Sequence, residues 1–221
     1  MIADQAIFTS MLRQGKAGYH IVALSPGVTE SEANAITTWS PSHGGLALDA
    51  SNPVSVNFFP LPSGRYALAR SREGRGEYSG RGGRQVFTRA ILFDADCLRK
   101  AAYNPFRIYR DALSLGHLQY RENPASVLSR VELSLFHLSD DTPEKQVMQR
   151  EHPIDPGMLE TVVAQLTAGQ AVLFPHSGDR IALAERMIRA LSPETLLRTS
   201  LSTSLLPSSV RPFRLNLLAR K

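Results

Sequence analysis

With 221 residues, 43% of them hydrophobic and 20% charged, the chain has the composition of an ordinary globular protein, which excludes wholesale disorder. Its formal charge is +5, and its one cysteine, Cys97, excludes an intramolecular disulfide and a zinc site built on several thiolates. No charged and then apolar leader opens the sequence and no apolar run approaches membrane-spanning length, so a reduced, cytoplasmic protein is expected.

In chain order, Ala6–Ser10 and Tyr19–Leu24 read as short strands separated by a polar, glycine-containing turn. Ser25-Pro-Gly27 then breaks the chain. Thr29 followed three residues later by Glu32 has the spacing of a capping box, which predicts a helix from Glu30 to Trp39. Ser40-Pro-Ser-His-Gly-Gly45 ends it, because neither proline nor paired glycines continue a helix. Two apolar strands follow, Ser55–Leu61 and Gln85–Phe93, and the second leads into a short helix near Asp96–Ala102. Phe58 and Phe59 are adjacent and must point to opposite faces, so one of them belongs to a second buried layer or is exposed for a partner.

Asn104-Pro-Phe106 marks a turn, and Pro124 to Asp155 is less regular, with strand or helix potential over Val127–Leu138 and a polar loop over Ser139–Lys145. Beyond it, Met158, Leu159, Val162, Val163 and Leu166 form one helical face that ends at Gly169. Gln170–Phe174 reads as a short buried strand. Ile181, Leu183, Ala184, Met187, Ile188 and Leu191 give a second amphipathic helix, extended by a turn after Ser192-Pro193. Thr199–Leu205 and Phe213–Leu218 are closing strands. The expected class is α+β: a β-rich N-terminal lobe with a mixed or antiparallel sheet (1–123), an irregular connection (124–155) and a smaller layered αβαββ lobe (156–221), forming a single module.

The segment between the two apolar strands, Ser63 to Arg84, concentrates the charge. It sets six arginines against two glutamates, Glu73 and Glu77, on a glycine-rich backbone. Backbone N–H groups of Gly80, Gly82 and Gly83 could cradle an anion, closed by bidentate hydrogen bonds from Arg81 and Arg84, with Arg65 and Arg75 alongside. It is not a Walker loop, since no Gly-Lys-Ser/Thr follows and a strand comes next. The plainer reading is a solvated hairpin, and a third has Glu73 or Glu77 folding back onto an arginine. His43 and His176 sit at turn positions where a ring could face a cleft, but no histidine pair has metal-ligand spacing, and no metal, cofactor or catalytic residue is assigned. Cys97 follows two carboxylates, Asp94 and Asp96, that would raise its pKa, which suits a buried helix residue better than a nucleophile.

An ordered series of landmarks resembles the N-terminal domain, type 2 form, of bacterial GTPase-associated protein 1. It comprises Gln5–Ser10, Gly18–Gly27, Ser40–His43, Asn57–Arg65, Glu77–Gly83 and Asn104–Phe106, with Leu191–Thr203 and Arg211–Leu215 towards the end. The resemblance implies an adaptor-like domain associated with a GTPase in bacterial conflict or signalling systems, and brings no catalytic residues. Relatives carry further domains after this one, so the chain is expected to be a stand-alone version or an excised piece. Together these features predict a non-enzymatic module presenting the Arg/Gly segment to an acidic or phosphate-bearing partner. The rival expectations are a nucleic-acid-binding module and an enzyme with its site between the lobes.

Overall fold

The computed structural model describes residues 1–13, 15–76, 83–135 and 154–219. Nine strands form a mixed sheet: β1 (Ile2–Ser10), β2 (Tyr19–Leu24), β3 (Ser55–Pro60), β4 (Tyr66–Gly76), β5 (Arg84–Phe93), β6 (Val131–Glu132), β7 (Val172–Pro175), β8 (Leu201–Ser202) and β9 (Leu215–Leu218). Their order is β2-β1-β5-β4-β3-β8-β9-β7, with β6 pairing the first residues of β1. Strands β1 to β5 pair antiparallel, β8 joins β3 antiparallel, and β8, β9 and β7 run parallel. The helices are α1 (Glu30–Trp39), α2 (Ala95–Lys100), α3 (Pro105–Ser114), α4 (Pro156–Thr167), α5 (Arg180–Arg189) and α6 (Pro193–Leu197). The chain is therefore α+β with a β-rich N-terminal part. Among the described residues no helix is long and apolar enough to cross a membrane.

Local chemistry accounts for most element boundaries. Thr29 and Glu32 form the complete capping box, the Glu32 N–H donating to Thr29 Oγ1 and the Thr29 N–H to Glu32 Oε2 at 2.9 Å. Asn104-Pro-Phe106 does more than turn the chain. The Asn104 side chain accepts from the Phe106 N–H, and Pro105 occupies the first helical turn, where a missing N–H costs nothing, so the tripeptide starts α3. Strand β7 is not the buried strand its composition suggests: it lies at the sheet edge, with Val172 buried and Leu173 56% exposed. Among the described residues between 124 and 155 only the two residues of β6 form a strand; the end of the Val127–Leu138 segment, from residue 136, and Ser139–Lys145 lie outside the described residues.

Both faces of the sheet are covered. Val56, Phe58, Tyr66, Leu68, Ile91 and Phe93 meet α2, α3, α4 and α5 in the larger core. On the other face Phe59, Ala67, Ala69, Ala90 and Leu92 pack with Ile36 of α1, and Trp39 stacks on Phe59 with centroids 5.1 Å apart. Small side chains at Ala6, Ala90 and Ala69, which are cross-strand neighbours, let α1 lie close to the strands. Phe58 stacks on Tyr66 at 5.5 Å, so both adjacent phenylalanines are buried, each in its own layer. Cys97 is buried in the larger core, and burial together with the charge of Asp94 pushes its thiol up to about 12.

Three arginine–carboxylate clasps join distant segments. Arg65, just before β4, donates from Nη1 to Asp4 of β1 at 2.6 Å, from Nε and Nη2 to the two oxygens of Glu32 in α1, and from Nη2 to the Gly27 carbonyl. Arg180, fully buried at the start of α5, donates to Asp49 and to the carbonyls of Ala47 and Thr203. Arg110 grips Glu185 with two bonds, tying α3 to α5, and Asn104 donates to the same carboxylate. Burial pushes the Glu185 and Asp49 carboxyls up, but their arginine and asparagine donors outweigh it and hold both below the usual range.

Glu32 supplies a test of this arrangement. Burial pushes its carboxyl up, yet hydrogen bonds from Arg65, Ser63 and the Thr29 N–H outweigh that and lower it from 4.5 to about 2. A carboxylate whose value is lower in the folded state stabilises fully above its unfolded value and loses that contribution as pH falls through the folded one. The urea midpoint should therefore fall between about pH 5 and pH 2. In Glu32→Gln that decline should be shallower, as followed by circular dichroism; an identical slope would remove Glu32 from the account.

Candidate functional site

The Arg/Gly segment is largely a β-hairpin. β4 continues to Gly76 and β5 begins at Arg84, so Arg70, Arg72 and Arg75 are strand residues. The register sets Arg70 opposite Arg89 and Gly76 opposite Arg84, with an irregularity between Glu73 and Gly76. Alternation puts Arg70 and Arg72 on the same face as Arg89, and the segment following α3 runs along that face. Arg70 Nη1 donates to the Leu118 carbonyl at 3.2 Å and Arg89 Nη1 to that of Gln119 at 3.3 Å. The Arg72 guanidinium lies 5.6 Å from the Tyr120 ring centroid, a cation–π distance.

Charge pairing is sparse there. Arg84 faces Glu73 at 3.6 Å with both side chains more than half exposed, a pair worth about 1 kcal/mol at most. Arg75 pairs with Glu122. Arg70, Arg72 and Arg89 have no carboxylate partner among the described residues. Arg89 is buried, held by Gln5 Oε1 on Nε and Nη2, and burial plus repulsion from Arg121 lowers its pKa to about 10. Arg70 Nε is buried with no partner among the described residues.

The residues singled out from sequence fall in different places. Arg65 belongs to the clasp on Asp4 and Glu32 and is three-quarters buried. Arg75, Gly83 and Arg84 stay at the tip of the hairpin, while Gly80, Arg81 and Gly82 lie outside the described residues. Gly83 has φ +90°, and a Cβ there would sit 2.7 Å from His43 Cε1, so His43 lies directly against the base of the hairpin tip. His176 is elsewhere: it follows β7, its N–H donating to the Leu218 carbonyl and its carbonyl accepting from Arg180. Among the described residues no three His, Cys, Asp or Glu side chains are grouped as metal ligands would be. Glycine content drew attention to the tip. The alternation Arg70-x-Arg72, opposite Arg89, was the available signal for the cationic face behind it.

The elements β1 to β6, the hairpin among them, are the part of the chain that matches a known family. Residues 2–133 match the family GTPase-associated protein 1, N-terminal domain type 2, and the chain belongs to it. No curated protein and no solved structure matches the chain.

Gly83→Ala should destabilise the protein by about 1–3 kcal/mol, since alanine is strained at this φ and its Cβ collides with the His43 ring. Urea unfolding would read the loss. A companion His43→Ala substitution should recover only the part due to the collision, and full recovery would show that backbone strain contributes nothing.

Proposed function

We propose that this chain is a non-enzymatic interaction domain acting with a GTPase, and that the β4–β5 hairpin is the surface it presents to an acidic or phosphate-bearing partner. Family membership supports the link to a GTPase. The observation that carries the surface is the hairpin's uncompensated charge: among the described residues Arg70 and Arg72 have no carboxylate partner, and Arg84 has only a weak, exposed one, while the buried Arg89 beneath them adds charge without being presented. Guanidinium groups without a carboxylate on one face, Arg70 and Arg72, with glycines at the tip, suit bidentate binding of carboxylates or phosphates. A bacterial conflict or signalling setting, in the cytoplasm, fits the same reading. Residues 1–221 then act as one module, a view supported by the pairing of β8 with β3.

Co-purification with a GTPase tests the reading. Replacing Arg72 and Arg84 by Glu, with Arg81→Glu as a third change, should weaken capture by more than about tenfold while the melting temperature holds. Capture unchanged by the triple substitution would sink the role of the hairpin. A steep loss of binding to random single-stranded nucleic acid with rising salt, at affinities above those for the GTPase, would instead favour nucleic acid.

A further inference from the structure

Far from the hairpin, the sheet edge carries a second feature. A cavity of about 370 Å³ opens on the face of β7 and β9 beneath the turn that runs from Pro207 to Pro212. Its walls are largely apolar, from Val172, Leu173, Pro207, Pro212 and Phe213; Ser208 and Ser209 of the turn also line it, and two further polar residues, Arg211 and Asn216, bring buried, unpartnered atoms to it. Asn216 sits on β9 between Leu173 of β7 and Ser202 of β8, and is only 6% exposed. Its Oδ1 is buried and accepts no hydrogen bond among the described residues. Arg211, in the turn, has a buried Nε that donates none, and no carboxylate among the described residues pairs with it. Burial without such a partner lowers its pKa.

A buried acceptor and a buried donor that both lack partners define what would complete them. Leaving a buried polar group unsatisfied is costly, so a ligand that satisfies both recovers that cost as affinity. Arg211 calls for an acceptor able to take Nε and a neighbouring Nη together, which is the geometry of a carboxylate. Asn216 Oδ1 calls for an N–H close by, and the apolar walls call for a hydrocarbon side chain. We propose that this cavity binds the C-terminal residue of a peptide: its carboxylate on Arg211, its amide N–H on Asn216 Oδ1 and an apolar side chain between Leu173 and Phe213.

The surroundings favour a chain end over a longer strand. β7 is the edge of the sheet, and its Val172 and the following His176 donate their N–H groups inward, to Arg214 and Leu218. By the alternation of a strand, Leu173 and Pro175 direct their backbone outward, and Pro175 has no N–H to give. A partner segment laid along this edge therefore loses its pairing within two residues. Leu206 and Val210, at 44% and 62% exposed, extend the apolar surface along the turn, and Leu173 extends it along the edge.

The test uses the whole chain, labelled with ¹⁵N, and titrates acetyl-Ala-Leu as the free acid and as its C-terminal amide. The acid should shift the Arg211 Nε–H and Asn216 side-chain signals and bind at least about tenfold more tightly than the amide. In Arg211→Gln, with the rest of the spectrum unchanged, acid and amide should bind alike. Equal binding of the two ligands by the wild-type chain, or no response to either at millimolar concentration, would overturn the proposal. So would an equal response to acetate alone, which lacks both the N–H and the side chain. The comparison of acid with amide needs no variant, so it stands even if Arg211→Gln fails to fold.

Discussion

The clasp of Arg65 on Asp4, Glu32 and Gly27 is the constraint on which the N-terminal half depends. Four hydrogen bonds from one guanidinium just before β4 reach three residues, in β1, the β2–α1 turn and α1, and Arg130 adds a further bond to Asp4. The backbone must come close to make this possible. A Cβ at Gly27 would lie 2.5 Å from both Asp4 Oδ2 and Arg130 Nη2, so a larger residue in that turn would push the Asp4 carboxylate or the Arg130 guanidinium aside. The clasp fixes α1 against the sheet, and the capping box that starts α1 spends the same Glu32 carboxylate on the Thr29 N–H. The helix start and the turn between β3 and β4 are thereby held by one buried group. Removing one partner would strand the others, which is costlier than never having buried the charges at all.

The arginines thus divide by what they face. Arg65, Arg110 and Arg180 meet buried or half-buried carboxylates and link segments far apart in the chain. Arg70, Arg72 and Arg84 stand on the hairpin with weak compensation or none. Net charge alone would merge these groups, although one consumes its charge inside the fold and the other leaves it available. The hairpin can carry its charge because the strands beneath it are pinned elsewhere, by the two cores and by the clasp. A surface that does not stabilise the fold is free to be shaped by a partner.

How much could be read from the chain follows the range of each interaction. The capping box at Thr29 and Glu32 is local, and α1 was legible from it. The alternating faces of Phe58 and Phe59 were legible too, though not that both faces are covered. Asn104-Pro105 was ambiguous because the residues that favour a turn also cap and open a helix, and only the buried Phe106 and Ile108 beyond them decide for α3. Arg65 looked like part of the presented loop because its partner Asp4 is 61 residues away, a separation that no local pattern encodes. Arg89 hid its charge inside an apolar strand, and only the register, which sets it beside Arg70, brings it to the hairpin face.

The central claim is this division of the arginines, and thermal unfolding of two variants tests it most directly. Arg65→Met leaves Asp4 and Glu32 buried without their partner, at a cost on the order of 3 kcal/mol, and should lower the melting temperature by about 6 °C or more. The double substitution Arg72→Gln and Arg84→Gln should leave it within about 2 °C of the wild type. Equal losses in the two variants would contradict the account, because the hairpin arginines would then belong to the fold and not to its presented surface.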